Sequence, residues 1–145
     1  MIFHYDKQKI AYDKLKAFLI ACHNCYSYLF DLSILDLWVD KIFQNAYCIC
    51  EIDGDTICSA CFFYTNTEEG FAFITLIARL PGISTIPGHM LIHECIEQVK
   101  RSGISTIKLE VLRTNVKAKN FYFRQGFQID EERTNSDIMK LTIKE

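Results

Sequence analysis

The chain of 145 residues contains two prolines and six glycines, and between them no stretch of biased composition, repeat or linker divides it. The expectation is one domain, residues 1–145, with no internal boundary. It has no long uncharged apolar run either. The most apolar early stretch, Leu15 to Phe30, holds Lys16, His23 and Asn24 and is too short to span a bilayer. Asp6, Lys7, Lys9, Asp13 and Lys14 precede it without a cleavage-type end, so it does not read as a signal peptide. An excess of basic charge is missing as well, the net being −2, which leaves no electrostatic case for nucleic acid or an anionic membrane as the main partner. A soluble cytoplasmic protein is expected, and at 50% hydrophobic residues it can bury a sizeable core.

Cysteine is plentiful. Seven is an odd number, and with no secretion signal free thiols are expected rather than a disulfide framework. Cys22-x-x-Cys25 and Cys58-x-x-Cys61 have zinc-knuckle spacing. Cys58 and Cys61, however, lie in a β-prone run, Thr56 to Tyr64, where residues three apart face opposite sides. Such a pair cannot ligate one ion, and no metal is expected.

In chain order, Met1 to Tyr5 reads as a short strand. Ile10, Leu15, Phe18, Leu19, Cys22, Tyr26 and Leu29 recur at helical spacing. Ser33 is placed as an N-cap with Asp36 in a capping-box position, opening a second helix to about Gln44. Two β-prone runs from Tyr47 to Tyr64 meet at Asp53-Gly54, a hairpin signal of type I′. Thr65 to Gly70 is a further turn and Phe71 to Leu80 a third strand. His89 to Arg101 carries helical periodicity and ends near Gly103; Ile107, Leu109 and Val111 alternate as a strand to Leu112, expected to lie parallel to the one ending at Leu80 because a helical crossover links them. Gln128–Arg133 and Asp137–Ile143 complete the pattern as a hairpin. The fold class expected is α/β (α+β), a mixed and mostly antiparallel sheet of six or seven strands with helices on both faces.

The most informative stretch runs from Ile107 to Phe127. After the strand, Asn115 stands where its side chain can cap a helix, and Gly126 stands where the helix must end. Asn115, Ala118, Phe121, Tyr122, Gly126 and Phe127 match N-x-x-A-x-x-F/Y-Y-x-x-x-G-F, and the chain here resembles the GNAT superfamily of acyl-CoA N-acyltransferases. With the strand and helix order, the resemblance extends from Tyr47 onward.

The resemblance implies acetyl-CoA as co-substrate, its pantetheine arm lying along Leu76, Ile77, Ala78 and Arg79 and its pyrophosphate on backbone N–H groups at the next helix start. The remaining donor-site residues that it assigns are Gly88, His89, Met90, Asn115, Ala118, Lys119 and Tyr122. In the same frame Tyr122 is the general acid, and the N–H of Ile77 or Ala78 holds the oxyanion. Glu110 is the nearest carboxylate for a base; Glu68, Glu69 and His93 are weaker candidates, and water is a further one. The acceptor is a primary amine of a small molecule or peptide, and exposed strand edges admit a homodimer.

One segment departs from the family pattern R/Q-x-x-G-x-G/A. This chain reads Ile83-Ser84-Thr85-Ile86-Pro87-Gly88, without the basic or amide residue, and Pro87 has no N–H to donate. A hydrogen bond to a charged group contributes about 1.5–3 kcal/mol, so one lost donor weakens CoA binding by about ten- to hundred-fold. Compensation is expected from the hydroxyls of Ser84 and Thr85 or from Lys117 and Lys119. The rival expectation is a degenerate member that binds an acyl-CoA, an amine or a protein without turnover.

Overall fold

A computed structural model describes residues 2–26 and 31–144. Its elements are β1 (Ile2–Tyr5), α1 (Tyr12–Cys25), a short 3₁₀ turn (Leu32–Ile34), α2 (Leu35–Asn45), β2 (Tyr47–Asp53), β3 (Thr56–Asn66) and β4 (Phe71–Arg79) in the first part of the chain. α3 (Gly88–Arg101), β5 (Thr106–Leu112), α4 (Val116–Arg124), β6 (Gln128–Glu132) and β7 (Ser136–Thr142) follow. One sheet of seven strands runs β1-β2-β3-β4-β5-β7-β6, antiparallel throughout except for the β4–β5 pair.

Strand periodicity divides the core into two layers. Cys48, Cys50, Ala60, Phe62, Leu76 and Ala78 face α1 and α2, which contribute Leu15, Phe18, Leu19, Val39 and Ile42. Their neighbours Ile49, Cys61, Phe63, Ile74, Ile107 and Leu109 face the other way, against Leu91, Ile92, Cys95 and Val99 of α3 and the flank of α4. Helices on both faces are therefore a direct result of the two-residue repeat, because the central strands β2 and β3 bury apolar side chains on both sides.

All seven thiols are free; six are buried, five of them in these layers. Cys61 and Cys95 lie side by side within the α3 layer, while burial pushes the Cys22 thiol up to about 12, with a smaller contribution from Cys25. Such thiols behave as small hydrophobes. Among the described residues no group of three or more histidine, cysteine, aspartate or glutamate side chains could hold a metal ion, and no helix is long and apolar enough to cross a membrane.

Local details correct the sequence reading. Ser33 does not cap α2: the Asp31 carboxylate accepts from the Ser33 N–H (2.9 Å) and starts the 3₁₀ turn, so α2 begins after Ile34 without a side-chain cap. The helix expected through Leu29 ends at Cys25, and Leu29 lies outside the described residues, as does Met1. In the β2–β3 hairpin Asp53 pairs with Thr56, leaving Gly54 and Asp55 as the turn. Gly54 has φ +61° and Asp55 does not take positive φ, so glycine leads the turn in the manner of type II′ rather than I′.

Candidate active site

The site begins where two strands part. β4 and β5 pair in parallel from Phe71↔Thr106 to Ile74↔Leu109 and no further, although β4 continues to Arg79 and β5 to Leu112. On the opposite edge of β4 the register with β3 slips between Phe62↔Leu76 and Phe63↔Ile74, which leaves Thr75 as an extra residue. A bulge of this kind bends and twists its strand, and here it sits where β4 leaves β5. The gap exposes unpaired backbone groups to a cleft of about 1070 Å³. Leu76, Ile77, Ala78 and Arg79 line one wall, as expected, and Leu109, Glu110 and Val111 line the other.

Two helices complete the walls. Asn115 caps α4, its side chain accepting from the Ala118 N–H (3.2 Å), and both residues line the cleft. Tyr122, two turns into α4, also lines it; its half-buried ring is braced edge-on between Phe121 and Phe127, with centroids 5.4 and 5.8 Å away. Gly126 ends this helix with φ +102°. Gly88 and His89 open α3 at the rim, whereas Met90 is exposed and outside the lining, its N–H bonded to the Pro87 carbonyl (3.1 Å). A Cβ on Gly88 would meet the Phe121 ring at 3.3 Å, so glycine permits the close approach of α3 to α4.

The hydroxyls assigned from sequence to phosphate are engaged elsewhere. Ser84 Oγ donates to Glu51 (3.0 Å), and both the N–H and the hydroxyl of Thr85 donate to the same carboxylate. Ser59 Oγ completes the set at 3.2 Å. Glu51, on β2, is 4% exposed. Burial pushes its pKa up, but these hydrogen bonds outweigh burial and bring it from 4.5 down to about 2.

Lys119 is likewise engaged: its ammonium lies 2.8 Å from Asp137, which also holds Arg113 (3.2 Å). Lys119 lowers the Asp137 pKa, against burial and with Arg113 adding to the effect. Arg79, Lys117 and Arg124 line the cleft, and none of them has an ion-pair partner among the described residues. These three cations suit an anionic ligand; the sequence reading had named Lys117 for phosphate and Arg79 for the pantetheine arm, and Arg124 for neither. Glu110 is present at the cleft, where it accepts from Ser136 Oγ (2.5 Å) and faces Arg133 Nη1 (3.5 Å).

Besides the exposed Asp31, whose pKa is lowered chiefly by the Ser33 N–H, two buried carboxylates with depressed pKa values, Glu51 and Asp137, make the fold acid-sensitive. Each is ionised in the folded state at pH values where its unfolded counterpart has begun to bind a proton, so each contributes stability above the unfolded value and loses it as pH falls through the folded one. Thermal denaturation is expected to be flat down to pH 4.5 and to fall from there toward about 2, the range given by Glu51. The double variant Glu51→Gln/Asp137→Asn should show a shallower decline. An equal slope in both proteins would remove these two groups as the cause.

Tyr26, Trp38 and Phe73 also line the cleft. The Tyr26 hydroxyl donates to the Arg79 carbonyl (2.9 Å) and ties the end of α1 to the end of β4. Glu51, Arg124 and these aromatics are residues that the sequence reading did not name for the cleft. For Glu51 a signal existed: it shares strand parity with Ile49, so a carboxylate was due to face the core beside α3.

Comparison with known proteins follows this geometry. Residues 12–127 match the model of the acetyltransferase (GNAT) family. Among curated proteins no sequence matches. Solved structures similar to this chain include the PaiA N-acetyltransferase of Thermoplasma acidophilum in complex with coenzyme A, at 15% identity and TM-score 0.73 over 98% of this chain and 99% of that one. An acetyltransferase of Streptococcus agalactiae aligns at 14% identity and TM-score 0.78 over 99% and 98%. The N-acetyltransferase PseH of Campylobacter jejuni aligns at 17% identity and TM-score 0.69 over 97% of each chain. At such identities these structures establish the fold alone.

Proposed function

Because the chain belongs to the GNAT acetyltransferase family, we propose that it is an N-acetyltransferase, moving an acetyl group from acetyl-CoA to a primary amine by direct attack. The observation that carries this reading is the parting of β4 from β5 beyond Ile74 and Leu109, with the Tyr122 ring beside the gap. An extended ligand rich in amide groups suits such an edge, as an added strand does. Pantetheine is such a ligand, and Arg79, Lys117 and Arg124 suit its phosphates.

In the reaction a neutral amine nitrogen attacks the thioester carbon and the C–N bond forms. A backbone N–H of Ile77 or Ala78 stabilises the oxyanion, and the C–S bond then breaks. Tyr122 donates its phenolic proton to the departing thiolate, and the ammonium proton leaves to water or to Glu110. The acceptor is an amine carried by a small molecule or peptide, to which the cleft lining offers aromatic faces such as those of Trp38 and Phe73. Cationic amines favour aromatic faces.

A second reading has support in the β4–α3 loop, where the N–H groups of Ser84 and Thr85 are engaged and Pro87 has none. On that reading the cleft binds an acyl-CoA, an amine or a protein without turnover. Calorimetric titration with acetyl-CoA, and with desulfo-CoA as the unreactive comparison, is the first test. Micromolar binding of both, followed by acetylation within an amine panel, is the expected result. Absence of both heat and thermal stabilisation at millimolar ligand would reject the donor site.

A further inference from the structure

Between Leu80 and Pro87 the loop has one glycine, Gly82 with φ +83°, and at its helix end it has Pro87, which carries no N–H, yet it is closely held. Glu51 reaches it from β2, two strands away in the sheet, and gathers Ser84 Oγ (3.0 Å), the Thr85 N–H (3.0 Å) and the Thr85 hydroxyl on one side with Ser59 Oγ (3.2 Å) on the other. Arg79 provides a second anchor, its Nε donating to the Ile86 carbonyl (2.8 Å). The Ser84 N–H closes onto the Leu80 carbonyl (3.1 Å). These bonds leave Gly88 and His89, at the start of α3 and on the cleft, as the loop's outlet toward a ligand. First-turn N–H groups have no partner within their helix, so their direction depends on how the preceding loop is held.

Building on the donor site proposed above, we propose that Glu51 is a positioning residue for the acyl donor: its buried carboxylate fixes the β4–α3 loop so that the first amides of α3 face the donor's pyrophosphate. Glu51 is absent from the cleft lining and acts through the loop. Its role is that of an internal anion around which the Ser84-Thr85 part of the loop is wound. A carboxylate suits that role because it accepts from several donors at once, whereas an amide in its place would turn an N–H₂ toward two hydroxyls and a backbone N–H.

The test compares wild type with Glu51→Gln by calorimetry against CoA and against 3′-phospho-ADP, the fragment that keeps the pyrophosphate and lacks the pantetheine arm. Circular dichroism confirms that the variant is folded. About a tenfold loss, the equivalent of one hydrogen bond to a charged group, is expected for both ligands. The same proportional loss for the fragment as for CoA places the defect at the pyrophosphate. A loss for CoA alone would indicate a general loosening of the cleft, and unchanged affinities would show that the carboxylate has no bearing on the donor; either overturns the proposal. Failure of wild type to bind 3′-phospho-ADP while it binds CoA would also overturn it. Failure of wild type to bind CoA at all would instead remove the acetyltransferase reading on which it rests. Should Glu51→Gln not fold, Ser84→Ala/Thr85→Val loosens the loop from its own side, with the same expected losses and the same overturning results.

Discussion

Tyr122→Phe is expected to lower kcat by about 10²-fold or more while acetyl-CoA affinity changes by less than about twofold, since a positioned acid contributes about 10²–10⁴-fold. The phenol lines the cleft while its ring is held between Phe121 and Phe127, and phenylalanine keeps that packing. The substitution therefore removes a proton donor without opening a cavity. Two measurements separate the effects: turnover at saturating donor, and calorimetric affinity for CoA. An unchanged rate would take Tyr122 out of the mechanism. A fall in affinity equal to the fall in rate would make it a binding group instead.

Gly88→Trp is expected to eliminate CoA binding, with affinity weakened beyond detection at millimolar ligand. Glycine at this position already allows only a tight approach, a Cβ falling 3.3 Å from the Phe121 ring and 3.7 Å from the Arg79 side chain. An indole has no room inward and must turn into the cleft mouth, where the donor's pyrophosphate is proposed to lie. The fold should persist, because Gly88 opens a helix at the rim and has ordinary φ. Calorimetry with CoA and a thermal melt decide the point. Retained affinity in a folded variant would place the donor elsewhere.

The parts of this molecule that were legible in the sequence are those that depend on neighbours in the chain. The Asn115 cap, the Gly126 stop and the alternation of Ile107, Leu109 and Val111 are local, and the structure has each in place. Parallel pairing of the strand at Leu112 with that near Leu80 followed from the length of the crossover, and the structure has it. What escaped depends on distant partners. Ser84 and Thr85 looked open to phosphate because Glu51, 33 and 34 positions away, is invisible to any local pattern. Lys119 looked like a cofactor cation until β7 brought Asp137 beside it. Ser33 does not cap α2 because Asp31, two residues earlier, takes its N–H and starts a 3₁₀ turn ahead of the helix, a competition between nearby polar side chains that spacing does not resolve.

The last strand in the sequence is not the last in the sheet. β7 lies between β5 and β6, pairing with β5 at all seven positions from Thr106↔Thr142 to Leu112↔Ser136. Before it arrives, β6 has no partner and β5 holds only the short contact with β4. The meander of β2, β3 and β4, joined by tight local turns, can assemble while the chain is still being made; the strand carrying Leu109 and Glu110 is completed only when residue 142 is available. The wall of the cleft that bears Glu110 thus takes its second partner from the last strand of the sequence.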